Sequence, residues 1–164
     1  MNYYDNFYEG LNDNRNILYR QIDTVSTLNK LLSTICSEIH NLNNYKINIK
    51  GDNSFNINNI LNKTVNKLLE YENKIQEIIK IKNGFPIFEL QDIENISLIK
   101  TLASQDYKVS TVVNNIANEF NIIKKIINEA IMSSQKENDY YTINTLSEIQ
   151  HNLNIVLLSL QQWI

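Results

Sequence analysis

Turn-forming residues are scarce in this chain, whose 164 residues include three glycines and one proline. Sheet-rich folds need frequent punctuation by such residues, so their scarcity points away from sandwiches and barrels and toward long helices in a single domain. The one cysteine, Cys36, has no partner for an internal disulfide. It stands in an apolar helical stripe, reads as a small core residue and fits a reducing compartment. Neither sign of charge dominates: 15 Lys and Arg against 18 Asp and Glu leave a formal net charge of -3. There is no basic block to attract a phosphate backbone, so DNA is not an expected partner. No apolar run is long enough to cross a bilayer, and the opening "MNYYDNFYEG" lacks the basic start and apolar run of a signal peptide. The expectation is a soluble, cytoplasmic chain without a membrane partner. A glycine-rich phosphate loop is missing, as is any Ser, Cys or His neighbourhood that pairs a nucleophile with a base.

What the chain does have is apolar residues at helical spacing. Leu18, Ile22, Val25, Leu28, Leu32, Ile35, Ile39 and Leu42 step by three or four and predict a long first helix. Gly51 interrupts it, and Asp52, Asn53 and Ser54 offer side-chain oxygens to cap a second helix beginning near Phe55. The second stripe, Ile57, Leu61, Val65, Leu68, Ile75 and Ile79, runs to "KNGFP", where Gly84 supplies backbone freedom and Pro86 lacks a donor. The segment "FELQDIENISLI" has room for a short helix, with Leu90 to Ile96 as the candidate. A third stripe, Val109, Val113, Ile116, Phe120, Ile123, Ile127 and Ala130, leads to Met132 and a connection at "SSQKEND". Thr142 is placed to cap a last helix with the stripe Leu146, Ile149, Leu153, Val156, Leu160 and Ile164. The fold class is all-α: a ferritin-like four-helix bundle with a short extra helix in the long crossover between the second and third long helices.

The segments "NYKINIKG", Phe55, "IIKIKNGFP", "FELQDIENISLI" and "DYYTINTL" follow one another at spacings that resemble the Dps miniferritins, the ferritin-like proteins that protect DNA during starvation. The likeness covers residues 15–164 as the bundle and leaves residues 1–14 as an N-terminal arm. It implies a shell-forming homo-oligomer, a hollow dodecamer in most of the family. Such shells oxidise ferrous iron at sites shared across two-fold interfaces and store the product, which serves iron storage and protection from oxidative stress. The short crossover helix typically lies at the two-fold contact, so Leu90 to Ile96 is the corresponding element here.

The family's iron site uses two histidines, an aspartate and a glutamate. Matched position by position, the histidines fall on Lys46 and Asn58, the aspartate on Asn73 and the glutamate on Glu77. Only Glu77 is a metal ligand of the usual strength, because a protonated ammonium has no lone pair and a neutral amide brings no compensating charge. The site is therefore expected to be degenerate, with no cofactor assigned and iron as the metal the resemblance implies. His40 lies six residues before the matched position and faces elsewhere on its helix, and His151 falls where the family places no ligand. Glu70 and Glu72 read as solvated helix residues. At the turn into the last helix, where the family lines a three-fold pore with acids, Asp139 is kept and Asn144 stands in place of a second acid. That pore is expected to draw cations weakly.

Three readings follow. The first is a Dps-like shell subunit with a degenerate, inactive ferroxidase site. The second is a working ferroxidase and iron store with an atypical site around Glu77. The third is an unrelated helical interaction protein. Tyr3, Tyr4, Phe7 and Tyr8 make the densest aromatic cluster and read as an arm packed on its own bundle or on a neighbouring subunit. Trp163 reads as an anchor of the last helix.

Overall fold

The computed structural model describes residues 3–163, with side chains from residue 24 onward. The N-terminal arm expected over residues 1–14, with its aromatic cluster, lies outside the described side chains, as do Leu18, Ile22 and Ile164 of the stripes. Four long helices form a ring: α1 (Tyr3–Asn48), α2 (Ser54–Ile81), α4 (Val109–Lys136) and α5 (Tyr140–Gln161). Helix α1 packs on α2 and α4, while α5 packs on α4 and α2. The crossover from α2 to α4 carries the short helix α3 (Leu90–Ile96), which occupies the predicted span. No helix among the described residues is long and apolar enough to cross a membrane.

The stripes meet along the bundle axis. Leu28, Leu32, Ile35 and Leu42 of α1, Ile57, Leu61, Leu68, Ile75 and Ile79 of α2, Ile116, Phe120, Ile123 and Ile127 of α4, and Leu146, Ile149 and Leu160 of α5 are all at least nearly inaccessible. Each such side chain contributes about 1.5–3 kcal/mol of transfer free energy, which is what holds four amphipathic helices together. Cys36 is partly buried against this core, and Trp163 packs on its edge.

Local signals at the helix ends differ from expectation. The α2 start is not capped by a side chain: Asn53 takes a left-handed conformation, φ 66°, and its side chain makes no capping bond. At the other end, Asn83 (φ 59°) adopts the left-handed turn that the sequence suggests for glycine. Gly84 is needed for space, because an added Cβ would lie 2.7 Å from Val25 Cγ1 and 3.0 Å from Ile79 Cγ2. Helix α4 continues through the first part of "SSQKEND" to Lys136. The cap of α5 is Asp139 rather than Thr142: its Oδ1 accepts from the Thr142 amide at 3.1 Å. Thr142 lies within the first turn, and its hydroxyl donates to Asp139 Oδ2 instead of accepting from the backbone.

The crossover is laced to α1 by side-chain amides. Asn29 donates to the Phe85 carbonyl at 3.0 Å and accepts from the Ile87 amide at 3.1 Å. Thr34 Oγ1 accepts from the Leu98 amide at 3.3 Å, Asn41 bonds both Lys100 O and the Leu102 amide at 3.0 Å, and Asn44 donates to Leu102 O at 3.0 Å. Irregular backbone must find partners somewhere, and here one face of a helix provides them. The crossover ends in a two-residue parallel pairing of β1 (Ile49–Lys50) with β2 (Tyr107–Lys108). Tyr45 and Tyr107 meet beneath it edge to face, with ring centroids 5.0 Å apart.

Candidate functional site

Lys46 lies in the last turn of α1, half-buried, and its Nζ donates to Asn43 Oδ1 at 3.1 Å. Asn58, in the second turn of α2, donates from Nδ2 to the Lys46 carbonyl at 2.7 Å. Its Oδ1 accepts from Asn62 Nδ2 at 3.2 Å. The carboxamide thus ties the end of α1 to the start of α2, satisfying a carbonyl that a helix terminus otherwise leaves open. The structure therefore brings Lys46 and Asn58 together.

Asn73 and Glu77 form a separate group. They stand four residues apart, both exposed, on one face of α2. With Gln76, Lys80, Ile81, Pro86 and Phe88 they line an open cleft of about 730 Å³. Asn73 is fifteen residues beyond Asn58, roughly 22 Å further along the helix axis. One chain cannot bring the two groups to a common ion.

As an iron site the four positions do not fit. Glu77 is the one anionic oxygen donor, Lys46 brings a positive charge, and Asn58 already spends both ends of its amide within the chain. Among the described residues no three His, Cys, Asp or Glu side chains converge. His40 is exposed and lines a smaller cleft of about 340 Å³ with Cys36, Ile93 and Glu94. Burial and then the charge of Glu72 push the Cys36 thiol up to about 12, so it stays protonated and a poor ligand or nucleophile. His151 is exposed on α5. Glu70 pairs with Lys67 at 2.7 Å on the surface, and Glu72 accepts from Gln76.

At the turn into α5, Asp139 belongs to an ion cluster not anticipated from the sequence. Lys82 Nζ lies 2.7 Å from Asp139 Oδ2 and 2.6 Å from Glu137 Oε2. Its side chain is 7% exposed, and Thr24 Oγ1 donates to the other oxygen of Glu137. Burial works against the charged Asp139, but Lys82 and Thr142 outweigh it and hold the carboxyl below its ordinary value. Asn144 is exposed on α5, one turn beyond Tyr140. The one hint of this cluster in the sequence is a lysine just past the end of an apolar stripe, which is too common a pattern to single out.

Neither a family profile nor a curated protein matches the sequence. Solved structures do match. Dps from Staphylococcus aureus superposes with a TM-score of 0.81 at 21% identity, covering 87% of this chain and 95% of that one. Dps from Bacillus brevis gives 0.82 at 18% identity, covering 88% and 96%. Dps from Vibrio cholerae O1, described as a member of a broad superfamily of ferritin-like diiron-carboxylate proteins, gives 0.82 at 16% identity, covering 89% and 91%. At this level of identity the likeness establishes architecture: the chain has the ferritin-like fold that the Dps structures share.

Proposed function

We propose that this chain is a Dps-like shell subunit whose inherited ferroxidase site is degenerate. The reading rests on one observation: the matched positions fall into two groups at opposite reaches of α2, Lys46 with Asn58 and Asn73 with Glu77, which only a second copy can unite. In the apposed pair, Lys46 of one copy lies near Glu77 of the other. Its ammonium takes the place of the metal's charge, with Asn73 close by. Desolvation offsets much of that attraction, so the pair contributes little net stability. Ferrous iron, as substrate, would have to displace a fixed cation and bind through a single carboxylate. The shell is a homo-oligomer through two-fold contacts and a dodecamer in its completed form, resident in the cytoplasm. Its retained task lies in assembly or in the interior, within iron storage and oxidative-stress protection.

Size determination and a ferrous-iron oxidation assay with oxygen or peroxide test this together. The expected result is a chelator-resistant oligomer without rapid saturable oxidation. Lys46→His, Asn58→His and Asn73→Asp combined should then recover measurable activity. Rapid oxidation by the unmodified protein, lost in Glu77→Ala, would establish an atypical working site. A stable monomer at micromolar concentration would overturn the shell.

A further inference from the structure

Two carboxyl groups face each other inside the bundle with no cation beside them among the described residues. Glu38 of α1 is fully buried, and neither of its oxygens accepts a hydrogen bond from an assigned donor. Glu119 of α4 faces it, with Oε1 accepting from Asn41 Nδ2 at 3.0 Å and Oε2 buried without a donor. Both sit at stripe positions: Glu38 between Ile35 and Leu42, Glu119 between Ile116 and Ile123. The surrounding groups are Asn41 and Tyr45 on α1, Asn115 on α4, which donates to the Tyr45 hydroxyl at 3.0 Å, and Tyr107 on β2. None is cationic. No titratable group of α2, α3 or α5 among the described residues bears on either acid.

Ionising both acids here carries two penalties, since each charge is removed from water and the two repel one another. One proton relieves both. Placed on Glu38 it becomes an O–H donor for the orphaned Oε2 of Glu119, halves the charge of the pair, and leaves the remaining charge on the carboxylate that Asn41 already supports. Burial first and the Glu119 charge second push Glu38 well above the ordinary glutamate range. Burial also raises Glu119, against the opposing hydrogen bonds from Asn41 and Glu38.

We propose that Glu38 and Glu119 form a proton-binding site in the bundle core, in which Glu38 carries a proton that it donates to Glu119 and so clasps α1 to α4. The folded chain keeps this proton at pH values where the unfolded chain has released it. Unfolding therefore releases a proton, and the clasp weakens as pH rises above the ordinary carboxyl range toward the folded value.

Urea unfolding of the full chain between about pH 5 and about pH 9 reads this directly. The unfolding constant should rise about tenfold per pH unit while the proton is held. Glu38→Gln keeps a donor at that point and should flatten the rise. Infrared spectroscopy of the unmodified protein provides a second readout that needs no variant to fold: a protonated-carboxyl band at neutral pH that disappears on alkaline titration. The absence of that band, or an equal pH slope in Glu38→Gln, would overturn the proposal. So would restoration of high-pH stability by magnesium, calcium or manganese ions in a manner lost with Glu38→Gln, since a metal cation would then be the occupant.

Discussion

Lys82 is held between two carboxylates at the turn into α5. Its ammonium is nearly enclosed and answers two carboxylates at once, so removing it strands both Glu137 and Asp139. Breaking a buried ion cluster from one side costs about 3–5 kcal/mol, and Lys82→Met should lose stability of that order in urea denaturation. Despite the cost of burial, Asp139 and Glu137 hold the Lys82 pKa above its ordinary value, while Asp139 is held below its own. The contribution of Asp139 is thus fully present above the ordinary aspartate range and is lost as pH falls through its lowered value. That of Lys82 is present below the ordinary lysine range and is lost only as pH rises through its raised value. An acid titration of stability should show the Asp139 limb shifted to lower pH and absent in Asp139→Asn. The cluster also bears on the pore reading, because one of the two positions matched to pore acids already has a cation beside it.

Among the elements, the α2 end shows how packing overrides local signals. Gly84→Ala would press a methyl group against Val25 and Ile79, forcing α1 and α2 apart, and should cost about 1–3 kcal/mol by thermal or urea unfolding. Adding Val25→Ala should recover part of that loss, since it removes the nearer contact. Helix existence and order were legible in the sequence because apolar period survives any single substitution. The helix ends were less so, as Asn53 and Asn83 take left-handed turns that Asn and Gly can both adopt. The turn from α1 into α2 was legible from Gly51 and the polar residues after it, whereas the bond from Asn58 to the Lys46 carbonyl was not. A heavy background of asparagine hides which amides have structural partners. Glu38 and Glu119 escaped the sequence reading, because each lies beside an apolar stripe position and nothing in the sequence tells that they face one another.

For the whole molecule, the open side of the crossover gathers several exposed apolar side chains. Ile81, Phe85, Phe88 and Leu90 are each at least two-thirds exposed, and α3 buries no residue completely. If the proposed two-fold contact forms, this exposed apolar area is the surface it would cover. Leu90→Glu with Phe88→Glu should leave the fold intact by circular dichroism and shift the protein to smaller species in analytical ultracentrifugation. An unchanged sedimentation profile would place the contact elsewhere.

The asparagine rungs between α1 and the crossover have a consequence for the order in which the molecule is built. Each rung joins positions some sixty residues apart, and none can form until α1 is helical and its face is presented. The helices nucleate from local contacts on a far shorter timescale than such loops close and find their register. The helices therefore form before the rungs, and the crossover is fixed only once the face of α1 exists. The exposed apolar face of the crossover is therefore ordered only when these rungs close, and a partly folded chain does not yet present it.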